Sequence, residues 1–217
     1  MRRFSLLIPV LLFSGCSFFI PATAPNPDPN HTHADFSVWV SGRQLDFSGA
    51  QFMSGTSDDE STHPTEGPRK YLHLHDGNGH VVHRHKPELT FGNFLASIGF
   101  VLGSDSSGTL HCVQLPDGTK LCDGAAGAAA LSWRFFVNGK PYAGSGGVMQ
   151  TDVRLADAFV FADGDTLLLT YGADDTEVTR ELTAMTDDAC LYSKTCPRRG
   201  SAPTENCIAD PEVPCRE

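Results

Sequence analysis

The first folded segment of the chain shows the alternation of apolar and polar side chains that is typical of a β-strand with one buried face. Residues 35–47 read DFSVWVSGRQLDF, and the even positions from Ala34 to Val40 are apolar. These positions are predicted to face a core, and the odd positions face the other side of the strand. Two later segments, WRFFVNGKPY and FADGDTLLLTYG, each combine a strand pattern with an Asn-Gly or Asp-Gly turn.

One segment between these strands has helical periodicity instead. In residues 87–100, PELTFGNFLASIGF, apolar side chains recur three and four positions apart from Phe91 to Ile98. Thr90 precedes them as a candidate helix N-cap. The strands and this helix together predict an α+β fold, in which one helix packs on a mostly antiparallel sheet.

Residues 1–15 are predicted to be a signal peptide. Arg2 and Arg3 precede an apolar run that is shorter than the about 20 residues of a membrane-spanning helix. The run ends in LFSGC, where small residues lead to Cys16 in the order found in bacterial lipoprotein signals. Cys16 is therefore predicted to carry a lipid, and the proline-containing residues 16–34 to tether the domain to the membrane. We expect an extracytoplasmic protein, periplasmic or at the cell surface, that contacts the membrane through this lipid only.

An exported protein can form disulfides, and the cysteine count suits this expectation, since seven cysteines minus Cys16 leave an even number. Cys112 and Cys122 flank VQLPDGTKL, and its Pro-Asp-Gly turn places them opposite each other in a predicted cross-strand disulfide. The folded domain is predicted at 35–174, followed by a cysteine-rich tail at 175–217. Three pairings are open to the cysteines that would staple this tail: Cys190, Cys196, Cys207 and Cys215.

The charge of the chain argues against one class of partner. The formal net charge is -10 and the sequence pI is about 5.2. Proteins that bind nucleic acid need clustered lysine and arginine, whereas the basic residues here are scattered. We therefore expect no nucleic-acid partner, and the sequence leaves any protein partner unknown.

Histidines are concentrated in two short segments, HTH at 31–33 and HLHDGNGHVVHRH at 73–85. If Gly77-Asn78-Gly79 is a three-residue hairpin loop, His73 lies opposite His83. This register places four histidines on one hairpin face and the leucines and a valine on the other, whereas a two-residue loop would mix them. Since a buried apolar face selects the register, the three-residue loop is favoured.

The odd face of the first strand extends the same pattern to the HTH segment. Three H-x-H pairs are therefore predicted to share one side of the sheet: His31, His33, His73, His75, His83 and His85. Residues two apart on a strand are about 6.6–6.8 Å apart, and directly opposed Cβ atoms about 4.5–5.5 Å. Such imidazoles can converge on a metal ion, and nitrogen ligands favour zinc or copper over calcium or magnesium.

The other histidines are predicted to lie outside this site. His63 is in a polar loop, His80 is at the hairpin turn on the opposite parity, and His111 adjoins Cys112. Asp76 opens the turn, where its side chain is expected to accept backbone hydrogen bonds instead of binding metal.

Several functions are compatible with such a site. The first is capture, buffering or delivery of zinc or copper by a membrane-anchored protein. The alternative is a zinc enzyme, in which three histidines and a metal-bound hydroxide support a carbonic-anhydrase-like lyase or a hydrolase. Against an enzyme, the nearest glutamate is Glu88, and no general base is evident near the clusters. A zinc ion used only for folding is a third option, and thiol–disulfide exchange has the least support because no C-x-x-C motif occurs.

Two resemblances accompany these patterns. WRFFVNGKPY and DVRLADAFVFADGDTLLLTYG resemble the β-grasp module at the C-terminus of cobalamin-carrier-like proteins, which implies a ubiquitin-like sheet and no particular ligand. HTHADFSVWVSG, HLHDGNGHVVHRH and ACLYSKTCPRRGSAPTENC together resemble a family of small exported prokaryotic lipoproteins of unsettled function. The second resemblance implies that the histidines act as one unit and supplies no mechanism.

The lipid anchor can be tested directly. We expect mass spectrometry of the native protein to find an N-terminus at Cys16 that carries covalent lipid, because LFSGC has the order of a lipoprotein signal. The matched control is Cys16→Ser, which should abolish lipidation. An unmodified chain that starts at another residue would contradict the assignment.

Overall fold

The computed structural model describes residues 25–28, 30–54, 67–104, 111–124, 131–143, 153–201 and 203. Predictions for the signal peptide and for Cys16, His63, Cys207 and Cys215 lie outside these residues. The strands are β1 (Thr32–Val40), β2 (Arg43–Gln44), β3 (Leu72–His73), β4 (Val81–Arg84), β5 (Val101–Ser104), β6 (His111–Gln114), β7 (Lys120–Cys122), β8 (Trp133–Val137), β9 (Lys140–Pro141) and β10 (Asp165–Tyr171). The α-helices are α1 (Phe91–Ser97), α2 (Val153–Asp157), α3 (Asp175–Thr183) and α4 (Ala189–Tyr192).

The main sheet is built around a parallel pair of strands. β1 and β10 lie side by side, with Phe36 opposite Leu167. β4 pairs with β1 and β8 pairs with β10, both antiparallel, which gives the strand order β3-β4-β1-β10-β8-β9 with β2 also on β1. The sheet thus has a central parallel pair with antiparallel neighbours, and α1 lies between β4 and β8 in the sequence. This is the β-grasp arrangement. The predicted α+β fold with a mostly antiparallel, β-grasp-like sheet is confirmed.

The described residues contain four α-helices, of which the sequence pattern indicated one. The predicted helix is α1, and the Thr90 side chain caps it by accepting a hydrogen bond from Asn93 N at 3.0 Å. The others are short or polar; α3, DTEVTRELT, offers only Val178 and Leu182 as sizeable apolar residues, so its periodicity is weak. Within the described residues, no helix combines the length and apolar character needed to cross a bilayer.

The principal core lies on the even face of β1, as the alternation predicted. Phe36 is buried there against Phe94 of α1, and Val38 belongs to the same core, with further contributions from β10 and from the second sheet, β5-β6-β7. α1 and α2 approach so closely that a Cβ on Gly92 would lie 2.5 Å from Asp157 Cα. Glycine at this position therefore allows the two helices to contact each other.

The odd face of β1 is also buried, and two different elements cover it. At its C-terminal end, Trp39 packs with Phe136, Leu168 and Val178, where Val178 belongs to α3. At its N-terminal end, the histidines lie beneath the segment that contains α4. β1 begins at Thr32, so it includes residues that the sequence pattern assigned to the tether.

Two disulfides are present in the described residues. Cys112 and Cys122 face each other across β6 and β7, so the predicted cross-strand disulfide is confirmed. In the tail, Cys190 pairs with Cys196, one of the three arrangements that the sequence left open. This second disulfide links α4 to the residues that follow it.

Asp35 of β1 holds the α4 segment against the sheet. Its side chain is buried, with Oδ1 accepting hydrogen bonds from Thr186 Oγ1 at 2.6 Å and from Asp188 N at 2.9 Å. Its Oδ2 accepts from Ala189 N at 2.9 Å. A single carboxylate thus satisfies N–H groups at the start of α4, which fixes this helix over the odd face of β1.

Replacing Asp35 with Asn is expected to lower the free energy of unfolding by about 2–3 kcal/mol, because hydrogen bonds to a buried charged acceptor are lost. The NH₂ group of the new asparagine would also face the donors that now bind the Asp35 carboxylate. Thermal denaturation followed by circular dichroism measures the change. The matched control is Asp46→Asn, since Asp46 is an exposed acceptor for Ser48 N. Equal melting temperatures for the two variants would contradict the anchoring role.

Candidate metal centre

Three neighbouring strands bring the H-x-H pairs together. His33 of β1 lies opposite His83 of β4, and His83 lies opposite His73 of β3. His31, His75 and His85 adjoin the ends of the same strands. The predicted hairpin register is therefore confirmed for the paired residues.

The turn of this hairpin differs in detail from a simple three-residue loop. Asn78 Oδ1 accepts hydrogen bonds from His80 N and Val81 N, both at 3.0 Å, so these donors point into the turn. Gly79 lies so close to another loop that a Cβ there would be 2.4 Å from Ser48 N. A glycine is therefore required at this point of the HLHDGNGH segment.

The six histidines are buried, with side chains 0–8% exposed. The Tyr192 ring of α4 lies over them, with centroid distances of 4.7 Å to His83, 5.6 Å to His33 and 6.0 Å to His75. Asn78 Nδ2 donates to the Tyr192 hydroxyl at 2.9 Å and fixes the position of this ring. The face that the sequence pattern assigned to histidine is thus enclosed by the C-terminal tail.

The most compact group consists of His31, His33 and His83, whose ligand nitrogens all lie within 4.8 Å of one another. His33 Nε2 and His31 Nε2 are 3.1 Å apart, and His75 Nε2 and His83 Nδ1 are 3.2 Å apart. With metal–nitrogen bonds of about 2.0–2.1 Å, nitrogens at such separations subtend about 100° at an ion. This angle lies between the square-planar and tetrahedral values, which copper and zinc respectively adopt.

The hydrogen-bond partner of His33 Nδ1 determines which ring nitrogen of His33 can bind a metal ion. Ser193 Oγ donates to Asp163 Oδ1 at 2.5 Å, so it accepts from His33 Nδ1, which is 2.8 Å away. His33 Nδ1 therefore carries the proton, and Nε2 presents its lone pair to the cluster. A hydrogen-bond acceptor behind the ring in this way is typical of metal-binding histidines.

Oxygen acceptors at Nδ1 also orient the rings of His73 and His75. His73 Nδ1 lies 2.9 Å from the Arg69 carbonyl oxygen, which can only accept, so Nδ1 donates. His75 Nδ1 lies 2.7 Å from Asp76 Oδ2, and the carboxylate accepts from it. The sequence pattern predicts that Asp76 accepts backbone hydrogen bonds in the turn. The structure shows Asn78 Oδ1 in that role and places Asp76 Oδ2 behind a candidate ligand.

The Asp163 carboxyl group behind His33 is stabilised in its ionised form. Burial alone would raise the pKa of the Asp163 carboxyl, but hydrogen bonds from His33 and Ser193 outweigh this effect and lower the pKa below its usual value. His33 N also donates to Asp163 Oδ1 at 3.0 Å. A fixed negative charge at this position favours a cation bound on the opposite side of the His33 ring.

Two of the remaining histidines occupy other environments. His80 Nε2 is 3.0 Å from Asp188 Oδ2, and His111 belongs to β6 of the second sheet. Neither belongs to the compact group.

Sequence reasoning missed Asp163, Ser193 and Tyr192. The sequence pattern places Asp163 only in an Asp-Gly turn, and the other two residues lie in the cysteine-rich tail, which disulfides are predicted to staple. The one signal that pointed to this part of the tail was the ACLYSKTC stretch quoted for the lipoprotein resemblance. Periodicity carries no information about contacts between residues 130 or 160 positions apart.

Replacing Asp163 with Asn is expected to weaken zinc binding by roughly 10–100-fold, because the negative charge behind His33 is lost while the shape of the side chain is kept. Competition with a zinc chelator measures the affinity. The matched control is Asp117→Asn, in the β6–β7 turn, which should leave zinc affinity unchanged. A folded Asp163→Asn protein with the zinc affinity of the parent would contradict the role of the carboxylate.

Comparisons with known proteins find no significant match to this chain among family models, curated proteins or solved structures. The two resemblances drawn from sequence motifs therefore receive no support from these comparisons and stay expectations. The geometry and chemistry of the histidine cluster are consequently the basis on which a function can be assigned.

Proposed function

We propose that this protein is an extracytoplasmic, lipid-anchored protein that binds a transition metal ion, zinc or copper, in the buried histidine cluster. The observation that carries the proposal is the convergence of His31, His33 and His83, with their ligand nitrogens within 4.8 Å of one another. Neutral imidazole nitrogens are ligands that zinc and copper favour, whereas calcium and magnesium prefer oxygen.

The hydrogen bonds behind the rings support the same function. His33, His73 and His75 each have Nδ1 engaged by an oxygen acceptor, so each presents Nε2 to the interior of the cluster. A histidine that only fills space in a sheet face needs no such common orientation. The net charge of -10 also favours the approach of cations.

The enclosure of the site favours capture, buffering or delivery of metal over catalysis. A catalytic zinc keeps a coordination position open to water and substrate. Here the candidate ligands are buried, and Tyr192 and Ser193 lie against them. Access to an ion in the cluster would require movement of the α4 segment.

Two features support the proposed cellular location. The Cys112–Cys122 and Cys190–Cys196 disulfides are typical of proteins that mature outside the reducing cytoplasm. The LFSGC segment adds a lipid at Cys16 to the proposal, and this lipid would hold the metal site near a membrane surface.

We expect protein purified from cells without added metal to contain zinc or copper by elemental analysis. His83→Ala should reduce the bound metal by at least tenfold, because His83 supplies one of the three ligand nitrogens of the compact group. His80→Ala, in the same hairpin, is the matched control and should retain the metal. Since protons compete with metal for imidazole nitrogen, affinity should also fall as the pH drops below about 6.5.

Two results would overturn this function. Protein that binds neither zinc nor copper at neutral pH would exclude a metal-binding role, provided that circular dichroism shows it to be folded. Hydration of carbon dioxide or hydrolysis of an ester by the metal-loaded protein, lost when a chelator removes the metal, would instead identify an enzyme.

A further inference from the structure

We infer that the histidine cluster binds two metal ions, and that His83 is shared between them. This inference rests on the proposed metal-binding function and extends it to the number of ions and the bridging ligand. The second ion would be held by His73, His75 and His83, beside the first ion at His31, His33 and His83.

The ring positions form two groups of three that meet at one residue. Around an ion with metal–nitrogen bonds of about 2.0–2.1 Å, imidazole centroids lie about 5 Å apart. His31, His33 and His83 have mutual centroid distances of 4.3, 4.8 and 6.2 Å. His73, His75 and His83 have mutual distances of 3.9, 5.8 and 6.1 Å, so the second group is about as compact as the first.

Each group contains its own close pair of nitrogens. The 3.1 Å contact between His31 Nε2 and His33 Nε2 belongs to the first group, and the 3.2 Å contact between His75 Nε2 and His83 Nδ1 belongs to the second. In the second group, the acceptors behind His73 and His75 direct both Nε2 atoms inward. The second group therefore shares the close nitrogen pair of the first group, whereas the approach of three ligand nitrogens to within 4.8 Å of one another is established for the first group.

Each group also has its own carboxylate. Asp163 lies behind His33 through Ser193, with 3.6 Å between Asp163 Oδ1 and His33 Nδ1. Asp76 lies behind His75 at 2.7 Å. Two divalent cations in a buried space need compensating negative charge, and these two carboxylates supply one negative charge behind each group.

Sharing His83 requires both of its ring nitrogens. When the second ion binds, the remaining N–H bond of His83 breaks, its electron pair forms the new nitrogen–metal bond, and the proton passes to water. The resulting imidazolate adds one more negative charge between the ions, and no oxidant or reductant is involved. His85 lies 4.0 Å from His31 and 4.9 Å from His73 between ring centroids, so it contacts one histidine of each group and can complete the coordination of either ion.

Copper(II) titration of the full chain tests the inference, with elemental analysis of bound copper and electron paramagnetic resonance (EPR) as readouts. We expect two copper ions per chain, and loss of most of the EPR signal as the second ion binds, because an imidazolate couples the two unpaired spins. One ion per chain would overturn the inference and leave the proposed function intact. No bound copper or zinc would overturn both, and two ions with a full uncoupled signal would exclude the shared His83.

Variants assign the second ion to its residues. His73→Ala should reduce the stoichiometry from two copper ions to one and leave one ion with an uncoupled EPR signal, because the compact group retains its three ligands. His80→Ala should keep two coupled ions. Retention of two coupled ions by His73→Ala would contradict the assignment, and the measurements on the parent protein decide the question of two ions even if a variant fails to fold.

Discussion

Burial of both faces of β1 is the constraint on which the rest of the structure depends. Side chains alternate along a strand, so a strand at the centre of a covered sheet must satisfy a different set of residues on each side. On one side, Phe36 and Val38 enter the principal core beneath α1. On the other side, Trp39 requires the apolar cover that α3 supplies, and Asp35 requires the donors at the start of α4.

The histidine cluster lies beneath the α4 segment, which covers the N-terminal end of the odd face of β1. Buried imidazoles are unfavourable unless their nitrogens have partners, and the structure provides oxygen acceptors behind several rings. These acceptors leave the opposite nitrogens directed at one another across short distances, as in a set of imidazole ligands around a metal ion. Because α4 carries Tyr192 and precedes Ser193, the cysteine-rich tail is part of the site, and the Cys190–Cys196 disulfide encloses both residues. A metal ion bound in the cluster would therefore couple its binding to the ordering of the tail.

Several features could be predicted from the sequence because they depend on local patterns. The alternation in β1 separates the core face from the histidine face, and the leucines beside His73 select the hairpin register that pairs it with His83. The Pro-Asp-Gly turn places Cys112 opposite Cys122. The spacing of apolar residues after Thr90 predicts α1 together with its N-cap. Each of these inferences needs only residues within about a dozen positions of one another, where strand and helix geometry determine which side chains share a face.

Only the tertiary structure decided what covers the histidine face and what lies behind each ring. Asp163 and Ser193 reach His33 from 130 and 160 positions along the chain, and no periodicity relates residues so far apart. The sequence assigned Asp76 to a turn, since its contact with His75 depends on the turn geometry that Asn78 imposes. By itself, the sequence determined which side of each strand carries the imidazoles. The direction of their nitrogens was decided by packing, because rotamer and tautomer follow from the hydrogen-bond acceptors that the folded chain brings against each ring.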